Sequence, residues 1–209
     1  MGLYQRYVFP RVMEWALSSD ACRQERRRVL AAAQGDVLEI GFGTGLNLEH
    51  YPPGVTSLTI IDSAEMLPAR VAARIAAAPF PVTPARLDAE RLPFPAPRFD
   101  AVVSTWTLCS IPDAVAALRE IRRVLRPGGT FLFLEHGRSD RPGVARWQDR
   151  WNPIQQRIGC GCNVNRRIDD LVAASGFAIT ALDRFVLPGE IAIMGEMYRG
   201  RAVPGPAPA

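Results

Sequence analysis

Alternating strand and helix units predict an α/β fold: a doubly wound, mostly parallel sheet closed by a C-terminal antiparallel hairpin. Three observations carry this. Four or five short runs, apolar nearly throughout, recur between helical stretches, as in strands covered on both faces of a sheet. A glycine-rich loop, Gly41-Phe42-Gly43-Thr44-Gly45, directly follows the first of these runs. Two β-like runs flank Pro188-Gly189 near the end of the chain.

Residues 3–33 read as helix, with Pro10 marking an early break or a first turn. Val37–Ile40 is the first strand and Leu58–Ile61 the second, ending at Asp62. Ser63–Ala78 follows as a helix, with Ser63 as N-cap and Glu65 in its first turn. Val82–Leu87 is a strand broken by Pro84, which lacks a ladder donor and so belongs at a sheet edge. Ala101–Ser104 is a buried strand, and Asp113–Leu125 a helix stopped by Arg126-Pro127-Gly128-Gly129. Thr130–Leu134 is a further strand, followed by Glu135-His136. Residues 137–165 read as irregular, with tryptophans at 147 and 151. Asn165 caps a helix through Ala174, and Phe177–Val186 and Ile191–Tyr198 form the hairpin. The organisation expected is an N-terminal helical lid (1–34), one α/β domain (35–202) and a disordered Pro/Ala-rich tail (203–209).

Composition narrows the function. At 209 residues, 48% hydrophobic and 22% charged, the chain reads as one folded domain. A net charge of +4 invites nucleic acid, but all 25 basic residues are arginine and most are dispersed. The clusters Arg26-Arg27-Arg28, Arg122-Arg123 and Arg166-Arg167 read as solvated helix faces, so no nucleic-acid partner is expected. No apolar run reaches the ~18 residues of a membrane span, leaving at most peripheral membrane contact. Arg6 and Arg11 stand too early for a signal-peptide core, and Arg6 occupies the position where a myristoylation signal needs Ser or Thr. Four cysteines do not make a disulfide scaffold, and a reducing cytoplasm is expected. Cys160-Gly161-Cys162 lacks a second ligand pair at zinc-site spacing, so no metal is expected.

Function concentrates at the strand ends, where ligands of such sheets bind. Glycines at 41, 43 and 45 let the backbone approach a ligand without Cβ clashes. The dinucleotide fingerprint is G-x-G-x-x-G beside a pyrophosphate. Here the spacing is G-x-G-x-G and Glu39 precedes it, an acid that would repel a pyrophosphate but suits a ligand bearing an ammonium and a sulfonium. That favours S-adenosylmethionine. Asp62, seventeen residues after Gly45, is placed to accept both ribose hydroxyls, or else to cap a helix. Asp88 could accept from an adenine amino group, or be a surface turn acid.

Glu39–Gly45, Asp62, Asp88-Ala89, Phe99–Val103 and Leu125–Gly129 together resemble the class I methyltransferases, over residues 35–200. The resemblance implies a Rossmann-like, seven-stranded sheet, S-adenosylmethionine as methyl donor and S-adenosylhomocysteine as product. It implies that Gly41, Gly43 and Gly45 line the methionine moiety, Asp62 holds the ribose and Asp88 the adenine. Ser63, Met66 and Ala89 would flank the adenosine, and Thr105 would sit near the reactive end. Tyr51–Gly54, Thr107–Ser110, Glu135-His136 and Gly161–Asn163 further resemble the alkyl thiol S-methyltransferases. Animal members of that group carry an N-terminal membrane anchor, which these residues do not show.

A small, fairly apolar acceptor follows, a thiol first, with phospholipid amines and quinones as alternatives. His136 is the best-placed group titrating near neutrality, as an acceptor-orienting or proton-accepting residue, or as a structural histidine. Cys109, Trp106 and Trp147 are candidate walls of the acceptor pocket, and Tyr7 a candidate lid residue. His50 is expected at the surface.

Overall fold

The computed structural model describes residues 3–63 and 66–205. A single seven-stranded sheet is built from β1 (Gly35–Ile40), β2 (Val55–Ile61), β3 (Val82–Ala85), β4 (Phe99–Thr105), β5 (Leu125–His136), β6 (Phe177–Val186) and β7 (Glu196–Pro204). The order is β3-β2-β1-β4-β5-β7-β6, with β1 to β5 parallel and β7 antiparallel to both neighbours. The predicted sheet, its closing hairpin and the edge position of the Pro84 strand are all present.

Period-2 alternation explains the two cores. Leu38, Ile40, Val102, Phe131 and Phe133 face α4 (Ala114–Val124) and α6 (Ile168–Ala174). Val37, Ala101, Val103, Leu132 and Leu134 face the other way, onto Cys22, Val29 and Leu30 of α2 (Asp20–Leu30). The direction of chain progression reverses between β1 and β4, which opens a crevice beyond their carboxyl ends.

Several elements differ from expectation. The N-terminal helix is divided: a π-helical turn (Tyr4–Val8), then α1 (Phe9–Ala16) with Pro10 in its first turn, then α2, capped by Ser19. The helix after β2 begins only at Pro68 (α3, Pro68–Ala76), not at Ser63. The pre-proline residue Leu67 is held out of the helical region at φ 45°. Glu65, expected in that helix's first turn, lies outside the described residues.

Residues 137–165 are not irregular. They contain α5 (Pro142–Ile158), a helix of 17 residues with Pro153 inside it. Its buried face is polar, with Gln148, Asn152 and Gln155, and its exposed face carries Trp147, Trp151, Ile154 and Ile158. That inversion hides the helical period from a hydrophobic reading. Arg167, not Asn165, occupies the N-cap of α6, and Asn165 instead donates to Asp149. Ala192–Gly195 is a helical turn (α7) where strand was expected, closed by the Leu187 N–H on the Gly195 carbonyl at 2.7 Å. β7 runs to Pro204, two residues into the expected disordered tail, because Val203 and Pro204 pair with Ala178 and Phe177. Residues 206–209 of that tail lie outside the described residues.

The arginine clusters are not all solvated faces. Arg26 is 3% exposed, and Arg166 donates to the carbonyls of Leu108 and Ile111. The His50 side chain is buried rather than at the surface. Among the described residues no helix is long and apolar enough to cross a membrane.

Candidate active site

One cavity of about 620 Å³ occupies the crevice at the carboxyl ends of β1, β2, β4 and β5. The glycine loop forms one wall. Gly41 and Gly43 hold φ of 72° and 58°, a region costly to residues with a Cβ. The Gly41 N–H donates to the Ile61 carbonyl, and the Gly43 N–H donates to Asp62 Oδ2 at 2.8 Å. The ends of β1 and β2 are thereby fixed to each other.

Of the sequence-predicted residues, Gly41, Gly43, Asp62, Ser63, Met66, Asp88, Ala89, Thr105, Trp106, Cys109 and His136 all border this cavity. Asp88 stands exposed at the rim, its Oδ1 accepting the Glu90 N–H at 3.0 Å. Four predicted residues do not border it. Gly45 is buried behind the loop against the Phe42 ring. Tyr7 lies exposed on the N-terminal turn, and Trp147 is 59% exposed on the outer face of α5.

Glu39 is the fourth, and its position revises its role. It points onto the α2 side of the sheet, 1% exposed, where Asn47 Nδ2 donates to Oε1 at 2.9 Å and the Tyr51 hydroxyl to Oε2 at 2.7 Å. Asn47 Nδ2 also reaches Thr105 Oγ1 at 2.9 Å. Glu39 therefore braces the underside of the loop rather than facing the cavity. Burial raises its pKa to about 7, against the lowering effect of Tyr51, Asn47 and Arg26.

The sequence reading missed the polar fittings at this end. Arg26 Nε, Asn47 Oδ1 and Trp106 Nε1 are buried with no hydrogen-bond partner among the described residues, and all three residues border the cavity. The Arg26 guanidinium lies over the Trp106 ring, 4.5 Å from its centroid. Trp106 itself sits at φ 51°, its backbone N–H donating to the Leu134 carbonyl at 2.8 Å. Burial pulls the Arg26 pKa down to about 10, partly offset by Cys22 and Glu39. Arg26 was hidden in a three-arginine run whose other two members face outward.

The N-terminal segment reaches the cavity through Phe9 and Met13 of α1 and Leu17 just after it, not through Tyr4 or Tyr7 of the preceding turn. Glu14, 8% exposed, accepts Arg74 at 2.7 Å, and Arg74 Nη1 also donates to the Thr44 carbonyl at 2.6 Å.

The same cavity is bordered by Cys109, His136, Cys160 and Cys162. Cys162 Sγ lies 3.5 Å from Cys109 Sγ and 3.8 Å from His136 Nδ1, contacts that span 53 and 26 residues of sequence. The hydrogen bond between the two thiols makes Cys162 the more acidic, and the same bond together with burial raises Cys109. Burial opposes the His136 cation, yet Cys162 and Glu135 hold its pKa above the ordinary imidazole value. Glu135, fully buried, accepts Ser104 Oγ at 2.7 Å and the Thr107 N–H at 2.8 Å, locking β4 to β5 behind this cluster.

A methyltransferase-domain family matches residues 38–133. Thiol S-methyltransferase TMT1B of Homo sapiens is 34% identical over 182 residues, covering 83% of this chain and 73% of the human protein. Phosphatidylethanolamine N-methyltransferase of Cereibacter sphaeroides is 37% identical over 139 residues, covering 64% of this chain and 68% of its own. Among solved structures, N-methyltransferase NodS of Bradyrhizobium japonicum in complex with S-adenosylhomocysteine superposes with a TM-score of 0.65 at 21% identity, covering 95% of this chain and 99% of that one.

Proposed function

The chain belongs to the class I S-adenosylmethionine-dependent methyltransferases, and we propose that it transfers the methyl group to a small, fairly apolar thiol. One observation carries the reading. The glycine loop with Asp62 and the cluster of Cys109, His136 and Cys162 border the same cavity, so donor and acceptor would share one enclosure.

The residues fit the donor. The three orphaned atoms at one end of the cavity supply what an amino-acid moiety requires: Arg26 Nε and Trp106 Nε1 as donors to a carboxylate, Asn47 Oδ1 as an acceptor for an ammonium. Asp62 would accept the ribose hydroxyls, and Asp88 at the rim would meet the adenine. S-adenosylmethionine supplies a methyl group on a sulfonium and leaves as S-adenosylhomocysteine.

The remaining task falls to this chain's residues. Transfer from a sulfonium is an in-line displacement in which charge disappears, so alignment and exclusion of water dominate. Phe9, Met13 and Leu17 cover the cavity, and Trp106 bounds it at the end of β4. His136 orients the acceptor. A thiol near pKa 8.5 needs only modest acidification to become the nucleophilic thiolate, whereas an amine or phenol needs a stronger base. We place the enzyme in the cytoplasm, because four cysteines in a chain of 209 residues do not make a disulfide scaffold.

The bacterial phosphatidylethanolamine relative favours a second reading, methylation of a phospholipid amine. One experiment separates them: release of S-adenosylhomocysteine and product mass, measured over small alkyl thiols, amines, phenols and mixed phospholipid vesicles. Turnover on thiols is expected. Turnover on phospholipid vesicles with none on thiols would replace this reading with the second.

A further inference from the structure

Cys109, His136 and Cys162 come from three places in the fold: just past β4, the end of β5, and the loop after α5. Asn163 holds the outer two together. Its N–H and Nδ2 both donate to the Cys109 carbonyl at 2.9 Å, while its Oδ1 accepts Asn152 at 3.1 Å and Gln156 at 2.6 Å. The turn that delivers Cys162 runs through left-handed Cys160 (φ 50°) and Gly161 (φ 100°). The polar inner face of α5 thus serves to fix this loop.

One ligand atom from each of the three residues lies within 4.8 Å of the other two. Tetrahedral zinc, with Zn–S about 2.3 Å and Zn–N about 2.0 Å, puts its ligand atoms about 3.3 to 3.8 Å apart. The observed separations of 3.5 Å (Sγ to Sγ) and 3.8 Å (Cys162 Sγ to Nδ1) need shifts of only a few tenths of an ångström, while Cys109 Sγ and the His136 ring nitrogen, within 4.8 Å, would close by up to about 1 Å.

We propose that Cys109, His136 and Cys162 bind one thiophilic divalent cation of the zinc class, leaving one coordination position open to the cavity. Two thiolates and an imidazole suit zinc, and three protein ligands with an open fourth position are the pattern of catalytic rather than structural zinc. On binding, each thiol gives its proton to solvent and His136 ligates as the neutral ring through Nδ1, its proton on Nε2. Two negative charges then balance the dication, so the buried site carries no net charge. The open position would take an acceptor thiolate, a clause that rests on the thiol reading above; the metal site itself does not.

The test uses the full chain, freed of metal by a chelator, kept reduced and titrated with Co²⁺ alone. One equivalent is expected to bind, with thiolate-to-cobalt charge-transfer absorption and tetrahedral visible bands that Zn²⁺ abolishes. Cys109→Ser, Cys162→Ser and His136→Ala should each weaken binding more than tenfold with unchanged circular dichroism, while Cys160→Ser should bind as wild type. Wild-type protein without thiolate–cobalt absorption overturns the site, and so does loss of the signal in Cys160→Ser but not in Cys109→Ser. Recovery of a Cys109–Cys162 disulfide with no metal uptake overturns it as well. Adding a small alkyl thiol should shift the visible bands; an unshifted spectrum in an enzyme that still methylates that thiol overturns the open-position clause alone.

Discussion

Tyr51 donates its hydroxyl to Oε2 of Glu39 at 2.7 Å, in a pocket closed to solvent beneath the glycine loop. Together with Asn47 it satisfies a carboxyl that burial has pushed up to about 7. An acid whose folded pKa is raised contributes stability that is complete below its unfolded pKa near 4.5 and is lost as pH rises through about 7. The shift corresponds to at most about 3 kcal/mol. Glu39→Gln keeps the shape without the charge, and rotation of the Asn47 amide would restore its contact. The variant should therefore gain on the wild type by about 1–3 kcal/mol between pH 5 and pH 8 in urea unfolding. A difference that stays flat across that range would refute the assignment.

Asp62 serves two partners in this reading: the Gly43 N–H, which it already accepts, and the ribose of the cofactor. Asp62→Ala removes charge-assisted hydrogen bonds worth about 1.5–3 kcal/mol each and frees the loop from β2. S-adenosylhomocysteine should bind more than about 100-fold more weakly by calorimetry. Wild-type affinity in the variant would remove Asp62 from the site.

Where the sequence was legible, one residue pattern served one physical demand. Val37-Leu38-Glu39-Ile40 is buried on both faces and ends at the loop, so strand, loop and switch point could all be read from it. Asp62 and Thr105 follow because strand ends are fixed once strands are. Glu39 misled, because an acid before a glycine loop does not reveal which face of the strand carries it; Tyr51 and Asn47, brought near by the fold, decide that. The helix α5 escaped because it buries glutamine and asparagine and exposes tryptophan; of its two prolines, Pro142 stands in the opening turn where no donor is needed and Pro153 lies inside the helix. The Cys109–Cys162 contact spans 53 residues and depends on Asn163, so no local spacing announces it.

Two glycines of the loop should respond differently to one added methyl group. At Gly41 (φ 72°) a Cβ would collide with the Thr107 side chain, which the end of β4 cannot readily move. Left-handed strain of about 1–2 kcal/mol and overpacking of about 1–3 kcal/mol then add. Gly41→Ala should lower the thermal midpoint by roughly 5–15 °C, at about 2–4 °C per kcal/mol for a chain of this size. At Gly43 (φ 58°) the Cβ meets nothing within 4 Å, since it enters open space at the cavity wall. Gly43→Ala should cost about 1–2 kcal/mol of stability yet weaken S-adenosylhomocysteine by more than about tenfold, a loss of over 1.4 kcal/mol. Equal losses of affinity and stability in both variants would mean that the loop does not face the cofactor.

The lid gives the last expectation. Glu14 on α1 accepts Arg74 from α3 at 2.7 Å, and Arg74 in turn donates to the Thr44 carbonyl of the glycine loop at 2.6 Å, so one guanidinium ties lid, helix and loop together. Glu14 is 8% exposed and the side chain of Arg74 about one-third exposed, so the pair is partly shielded from solvent and worth more than a surface ion pair. Arg74 pulls the Glu14 pKa down against the effect of burial, so the carboxylate stays charged at neutral pH. Glu14→Gln keeps the shape but removes the charge, at a cost of about 1–2 kcal/mol. If that energy holds α1 over the cavity, the loss should appear as faster cofactor release. The S-adenosylhomocysteine off-rate in stopped flow should rise about five- to thirtyfold while the on-rate changes little. Raising salt should speed release from the wild type toward the variant's rate while changing the variant less. An unchanged off-rate accompanied by a lower thermal midpoint would show that the Glu14–Arg74 tie supports the fold without gating the site.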